Sequence, residues 1–225
     1  MTQEPRKGVF IAIEGGDGAG KTDQIRLLQE RWESLFTGWN VVFTKEPGGG
    51  SVFSHDIRQL ALNHEDAGSA EPGTLFGLMT ASRFEHLGKL ITPHLAKGDV
   101  VICDRFEAST YAYQVKGMGA DYLRGSYLEH RASVRALLGE HAYRTIVLDV
   151  DPDVAMGRLA ARKLRQGDQN HFDLRPRVFH ETVREALKEY CSTINPTAIR
   201  IDGNPGPEEV HSLLEEQIRL ILANK

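Results

Sequence analysis

Short apolar runs alternate along the chain with longer stretches in which apolar residues recur every three or four positions. The runs VFIAIE, VVFTKE, DVVICD, TIVLDV and AIRID are rich in β-branched side chains, the pattern of strands buried on both faces. Between them lie IRLLQERWESL, the long LFGLMTASRFEHLGKLITPHL, VRALLGEH, VAMGRLAARKL, FHETVREALKEY and VHSLLEEQIRLIL. Their spacing predicts amphipathic helices. Strands separated by helices require right-handed crossovers, so the pattern predicts an α/β fold with a five-stranded parallel sheet flanked by helices. No internal repeat or low-complexity linker breaks the chain, and 225 residues predict a single domain over 1–225. Two segments depart from the pattern: EPGGGS at Glu46 to Ser51, and KLRQGDQNHFDLRPR at Lys163 to Arg177. Their glycines and charges predict mobile loops. A basic loop facing a phosphate site would serve as a lid, here over 163–177.

Composition adds limits rather than identity. Forty per cent hydrophobic and 26% charged residues are ordinary for a globular protein. A formal charge of −4 gives no global field for a polyanion, so no nucleic-acid partner is expected and any anion site must be local. The polar start MTQEPRK and the lack of a long apolar span predict a cytoplasmic protein with no membrane partner. Cys103 and Cys191 form neither a pair motif nor a metal spacing, and Cys103, inside VVICD, reads as a buried thiol.

The chemistry concentrates first at EGGDGAGKT, directly after the first apolar run. GGDGAGKT, from Gly15 to Thr22, fits the phosphate-loop pattern in its required setting, after a strand and opening a helix. Gly15, Gly18, Ala19 and Gly20 would let backbone N–H groups wrap phosphates, Lys21 would reach the transferring phosphates, and the Thr22 hydroxyl would ligate Mg²⁺. Asp17 is the odd residue, a carboxylate inside a loop built to attract anions. The third run ends in Asp104, where a strand-end carboxylate beside the first strand can hold hydrated Mg²⁺, and Arg105 follows it.

A GTPase switch would need an Asn-Lys-x-Asp segment, and none occurs. Instead, Arg58, Arg83 and Arg105 are spread over several segments, and Arg158, Arg162 and Arg165 fall at i, i+4, i+7. That last set is either one solvated helix face or part of a basic site. A second anionic substrate would need such a set to screen repulsion between phosphates brought into line.

These landmarks resemble the thymidylate kinase family. DRFEASTYAYQ at Asp104 to Gln114, TKEPGGG at Thr44 to Gly50, the Ile-Arg of HDIRQL and TASR at Thr80 to Arg83 match the family's landmarks. The resemblance implies a P-loop nucleoside-monophosphate kinase with a lid, ATP as donor, dTMP as the favoured acceptor and Mg²⁺ as cofactor. It further implies a homodimer, without identifying its surface. By position, Asp17 would accept a hydrogen bond from the acceptor's 3′-hydroxyl, and Arg58 and Arg105 would bind its phosphate. Arg83 would reach a pyrimidine carbonyl, with Thr110 and Gln114 at the base edge and Glu46 and Pro47 in the same acceptor site. Arg158 and Arg162 would close over the donor phosphates, and DGNPGP would border adenine. The Glu46–Pro47 bond is a candidate cis peptide.

Two departures from the family's pattern stand out. Met79 occupies the position where the family places a stacking Phe, so either Met79 or Phe76, one turn earlier, would meet the base. In the lid, NHFD at Asn170 to Asp173 carries His171 in place of an arginine, leaving Arg165, Arg175 or Arg177 to compensate. These substitutions keep alternatives open: a kinase for another or a 5-modified deoxynucleotide, or a nucleotide-binding protein that has lost transfer.

Overall fold

The computed structural model describes residues 6–166 and 170–224, without the side chains of 162–166. The apolar runs form strands β1 (Val9–Gly15), β2 (Val41–Lys45), β3 (Val100–Asp104), β4 (Ala142–Asp149) and β5 (Ile199–Asp202). They make one five-stranded sheet in the order β2-β3-β1-β4-β5, and every pairing is parallel. The helices are α1 (Lys21–Leu35), α2 (Val52–Asn63), α3 (Pro72–His86), α4 (Thr92–Ala96), α5 (Glu107–Thr110), α6 (Arg124–Leu138), α7 (Pro152–Gln166), α8 (Arg177–Glu189) and α9 (Pro207–Ala223).

Every residue of β1 is buried, because successive side chains point to opposite layers and both layers are covered. Val9, Ile11 and Ile13 pack with Leu28 and Trp32 of α1 and with Leu214 and Ile218 of α9. Phe10 and Ala12 pack on the other side with Leu87, Ile91 and Leu95 and with Val134 and Leu138 of α6. A further apolar cluster joins α3, α6 and α8 around Tyr111, Tyr127, Val183 and Tyr190. Met79 and Phe172 belong to it and also line the cleft described below.

Two elements differ from the expectation. The long pattern from Leu75 to Leu95 is not one regular helix: α3 passes through a π-helical turn at Leu87–Ile91 before α4. The segment expected as a lid loop from Lys163 begins as helix, since α7 runs on to Gln166. Lys163, Leu164, Arg165 and Gln166 are good helix formers and continue the preceding pattern. The part of the expected lid at 167–169 lies outside the described residues. Among those described, no helix is long and apolar enough to cross a membrane.

Candidate active site

The carboxyl ends of β1 and β3 lie side by side, with Ile13 paired to Asp104. After β1 the chain turns through the glycine loop into α1. Gly18 has φ +78, and a Cβ there would stand 2.4 Å from the Ala155 carbonyl oxygen of α7. Gly20 has φ +87 and precedes α1 with no side-chain cap, so the first amides of the helix are left for an anion. Lys21 folds back over this loop, donating to the Gly15 and Gly16 carbonyls at 2.9 Å each. Burial, then the nearby Arg105 charge, lowers its pKa to about 8. Thr22 is exposed in the first turn.

The Asp-Arg pair after β3 is built on an unusual backbone. Arg105 is the one non-glycine residue with positive φ among those described, at 68°, a conformation retained when surrounding contacts over-determine it. Those contacts come in part from Glu14, a fully buried carboxylate in β1. It accepts from the Phe106 amide at 2.8 Å, the Ser109 amide at 3.2 Å and the Ser109 hydroxyl at 2.5 Å. Burial raises the Glu14 pKa above its ordinary value despite these donors. Arg105 then donates to Gly15 O at 3.1 Å and to Ser109 Oγ at 3.2 Å, and pairs with Asp17.

Asp17 is therefore held from two sides, by Arg105 and by the Tyr113 hydroxyl at 2.8 Å. Burial alone would raise its pKa, but Arg105, Lys21 and Tyr113 outweigh it and hold the carboxylate below the usual range. A charged, acceptor-only group so fixed keeps spare lone pairs for a ligand hydroxyl.

Beside this loop opens a cleft enclosing about 670 Å³ of solvent-continuous space. The structure brings the expected acceptor residues together on its walls: Asp17, Glu46, Pro47, Arg58, Met79, Arg83, Asp104, Arg105, Thr110 and Gln114 all line it. The Glu46–Pro47 bond is cis. Arg58 donates to the Pro47 carbonyl at 2.8 Å, and burial followed by Arg105 lowers its pKa. Met79, rather than Phe76, reaches the cleft, while Phe76 packs against the apolar cluster that includes α3 and α8. Tyr113 and Phe172 add aromatic walls, their rings edge-to-face at 5.3 Å.

Arg83 is buried and heavily engaged. Its Nε donates to Glu46 Oε2 at 2.8 Å and its Nη2 donates to Phe106 O and Thr110 Oγ1, each at 2.9 Å. Its Nη1 meets His130 Nε2 at 3.2 Å. Glu46 also contacts His86 Nδ1 at 3.0 Å, and His86 Nε2 reaches Thr44 Oγ1 at 2.8 Å.

The arginines of the α7 region and the lid lie elsewhere. Arg158 donates to the carbonyls of Gly203, Asn204 and Pro205 at 2.8, 3.0 and 3.1 Å. It thus braces the loop after β5, although its Nη1 stands 3.8 Å from where a Cβ on Gly20 would be. Arg162 and Arg165 have side chains outside the described residues. His171 contacts the Ala61 carbonyl through Nε2 at 3.1 Å, and burial lowers its pKa. Arg175 donates to Gly68 O at 2.9 Å, and Arg177 pairs with Asp153 and Glu181. In this conformation neither arginine stands in for the family's lid residue.

Sequence reasoning missed Glu14, Ser109, Tyr113, Phe172 and the pair His86 and His130. Glu14 had a visible signal, a carboxylate closing an otherwise apolar strand. Tyr113 and Phe172 lay inside quoted motifs without a role, and His130 sits in an unremarkable helix.

A parallel sheet with a phosphate loop at its carboxyl edge, an adjoining strand-end Asp-Arg and an arginine-lined cleft define a P-loop nucleoside-monophosphate kinase. Comparison with known proteins names the family. The profile described as thymidylate kinase matches residues 13–214. The thymidylate kinase of Pelobacter propionicus is 37% identical over 216 residues, covering 94% of each chain. That of Mesoplasma florum is 38% identical over 216 residues, covering 95% of each. A crystal structure of thymidylate kinase from Ehrlichia chaffeensis superposes with a TM-score of 0.69 at 27% identity, covering 95% of this chain and 99% of that one. The chain belongs to the thymidylate kinase family.

Proposed function

We propose that the protein transfers the γ-phosphoryl group of ATP to dTMP, giving ADP and dTDP. The observation that carries this reading is the convergence of Asp17, Arg58, Arg83 and Arg105 on one cleft that adjoins the phosphate loop. The donor phosphates bind the amides of the glycine loop and Lys21. The acceptor phosphate is held by Arg58 and Arg105, its sugar 3′-hydroxyl donates to Asp17, and the base lies toward Met79, Arg83, Thr110 and Gln114. An oxygen of the acceptor phosphate forms the new bond to the γ-phosphorus in line as the bond to ADP breaks. No protein nucleophile is required, and the fixed cations offset the charge spread over the transferring group.

The residues fit a divalent cation. Asp104 lines the cleft, and its buried Oδ1 has no hydrogen-bond partner among the described residues. Asp104 and the Thr22 hydroxyl would hold Mg²⁺ together with bridging phosphates, and the ion would neutralise phosphate charge. Arg158 and Arg162 would join the donor side as the lid closes. The chain is read as cytoplasmic and as a homodimer. Support for the dimer is apolar surface on α2, where Phe53 and Leu60 stand exposed about two turns apart.

The family assignment favours neither a modified or different deoxynucleotide as acceptor nor a binding protein without transfer. The test is ADP release with Mg-ATP and a panel of dTMP, dUMP, 5-hydroxymethyl-dUMP, dCMP and ribothymidylate. The expected order has dTMP first and the ribose form weak. Turnover no higher than background hydrolysis with any acceptor would end the kinase reading.

A further inference from the structure

The guanidinium of Arg83 carries five N–H groups. Nε donates one to Glu46, and Nη2 donates its two to Phe106 O and Thr110 Oγ1. Of the two on Nη1, one is directed at His130 Nε2, 3.2 Å away. A cation cannot accept, so Nε2 must be the unprotonated nitrogen of a neutral ring. Burial, then the Arg83 charge, lowers the His130 pKa to about 4, consistent with that state. The ring is braced by Phe84, which packs against it edge-to-face at 4.8 Å and 83°. Arg83 lines the cleft, and the second Nη1–H is then its one uncommitted donor among the described residues.

We infer that His130 is a positioning residue for acceptor-base recognition: by taking one Nη1–H of Arg83 it holds the guanidinium so that a single donor is presented to the base. The inference rests on the dTMP kinase reading above. One fixed donor suits a base edge that offers a carbonyl, as thymine does. Cytosine places an amino donor at the same edge and would leave two donors opposed. Without His130, a buried N–H of a charged group loses its partner, and the occupied Arg83 conformer becomes less favourable.

Replacement variants separate this role from packing. The side-chain carbonyl of Gln extends about as far as Nε2, whereas that of Asn stops near Nδ1. His130→Gln is expected to keep the KM for dTMP within about twofold, since it restores an acceptor. His130→Asn and His130→Leu are expected to raise that KM about tenfold, as loss of one hydrogen bond to a charged group implies. The KM for ATP should stay unchanged, and the preference for dTMP over dCMP should fall. Equal effects of Gln and Asn, or parallel changes in both KM values, would overturn the inference. Independently of any variant, ¹⁵N-histidine spectra of the full chain near neutral pH should show His130 neutral with Nε2 unprotonated. A protonated Nε2 would overturn it as well. Absence of dTMP-dependent turnover in the wild type would instead sink the kinase reading, a result these outcomes do not mimic.

Discussion

Asp17 looks misplaced in a phosphate loop until its partners are counted. Arg105 offsets its charge and Tyr113 donates at 2.8 Å, so the loop keeps an acceptor without repelling phosphates. Tyr113→Phe removes that donor and leaves the rings around it in place. The expected result is a rise of about three- to tenfold in the KM for dTMP with a smaller change in the KM for ATP; an unchanged dTMP KM would show that Arg105 alone fixes Asp17. His130 makes a second residue-scale prediction. Its folded pKa of about 4 lies below the ordinary 6.5, so the unfolded chain takes up the proton first as pH falls. Its contribution to stability is complete above about pH 6.5 and is lost progressively toward pH 4. The loss is on the order of 2 kcal/mol once solvent screening is discounted. Urea unfolding of His130→Gln should show a shallower acid limb than the wild type, and identical slopes would contradict the assignment. The sequence made Asp17, Lys21 and Asp104 legible because local motif chemistry marks them. Glu14, Tyr113 and His130 act on residues 92, 96 and 47 positions away, and no local pattern reports such pairings.

The phosphate loop depends on how closely α7 approaches it. At Gly18 both the φ of +78 and the 2.4 Å approach to Ala155 O oppose any side chain. Because the obstructing atom is backbone, it cannot rotate away. Gly18→Ala should therefore destabilise the protein by about 2 kcal/mol or more and weaken ATP binding. Gly77 in α3, with nothing within 4 Å of an added Cβ, is the matched control, where Ala should stabilise by about 0.5–1 kcal/mol. Thermal melts of the two variants decide this, and equal shifts would show that the α7 contact yields. The strands were legible because burial on both faces leaves uninterrupted apolar runs. Helix α2 was harder to read, since its buried side is narrow: only Ser54, Ile57 and Ala61 are buried. The π-helical turn after α3 leaves no sequence mark, because the same residues would continue an α-helix equally well.

At the scale of the molecule, function asks for a cleft whose walls come from distant segments and stay in register. The phosphate loop, the loop after β2, α3 and the segment after β3 each contribute to it, and the parallel order β2-β3-β1 brings the three strand-end segments to one edge. The order of segments in the chain was readable from the motifs, but their convergence required the sheet. Outside the cleft, α2 packs on α3 and leaves Val52, Phe53 and Leu60 exposed. Large apolar side chains gathered on one short helix carry a solvation cost that self-association would remove. A homodimer through α2 therefore predicts a species of about twice the 25.1 kDa chain mass in sedimentation. Phe53→Asp would place a charge on each side of a symmetric contact, opposite or near its own copy, where neither finds a counter-ion. It should shift the population to monomer at micromolar protein while leaving the fold intact by circular dichroism. An unchanged sedimentation profile would move the interface away from α2. A monomeric wild type would leave these side chains for another partner.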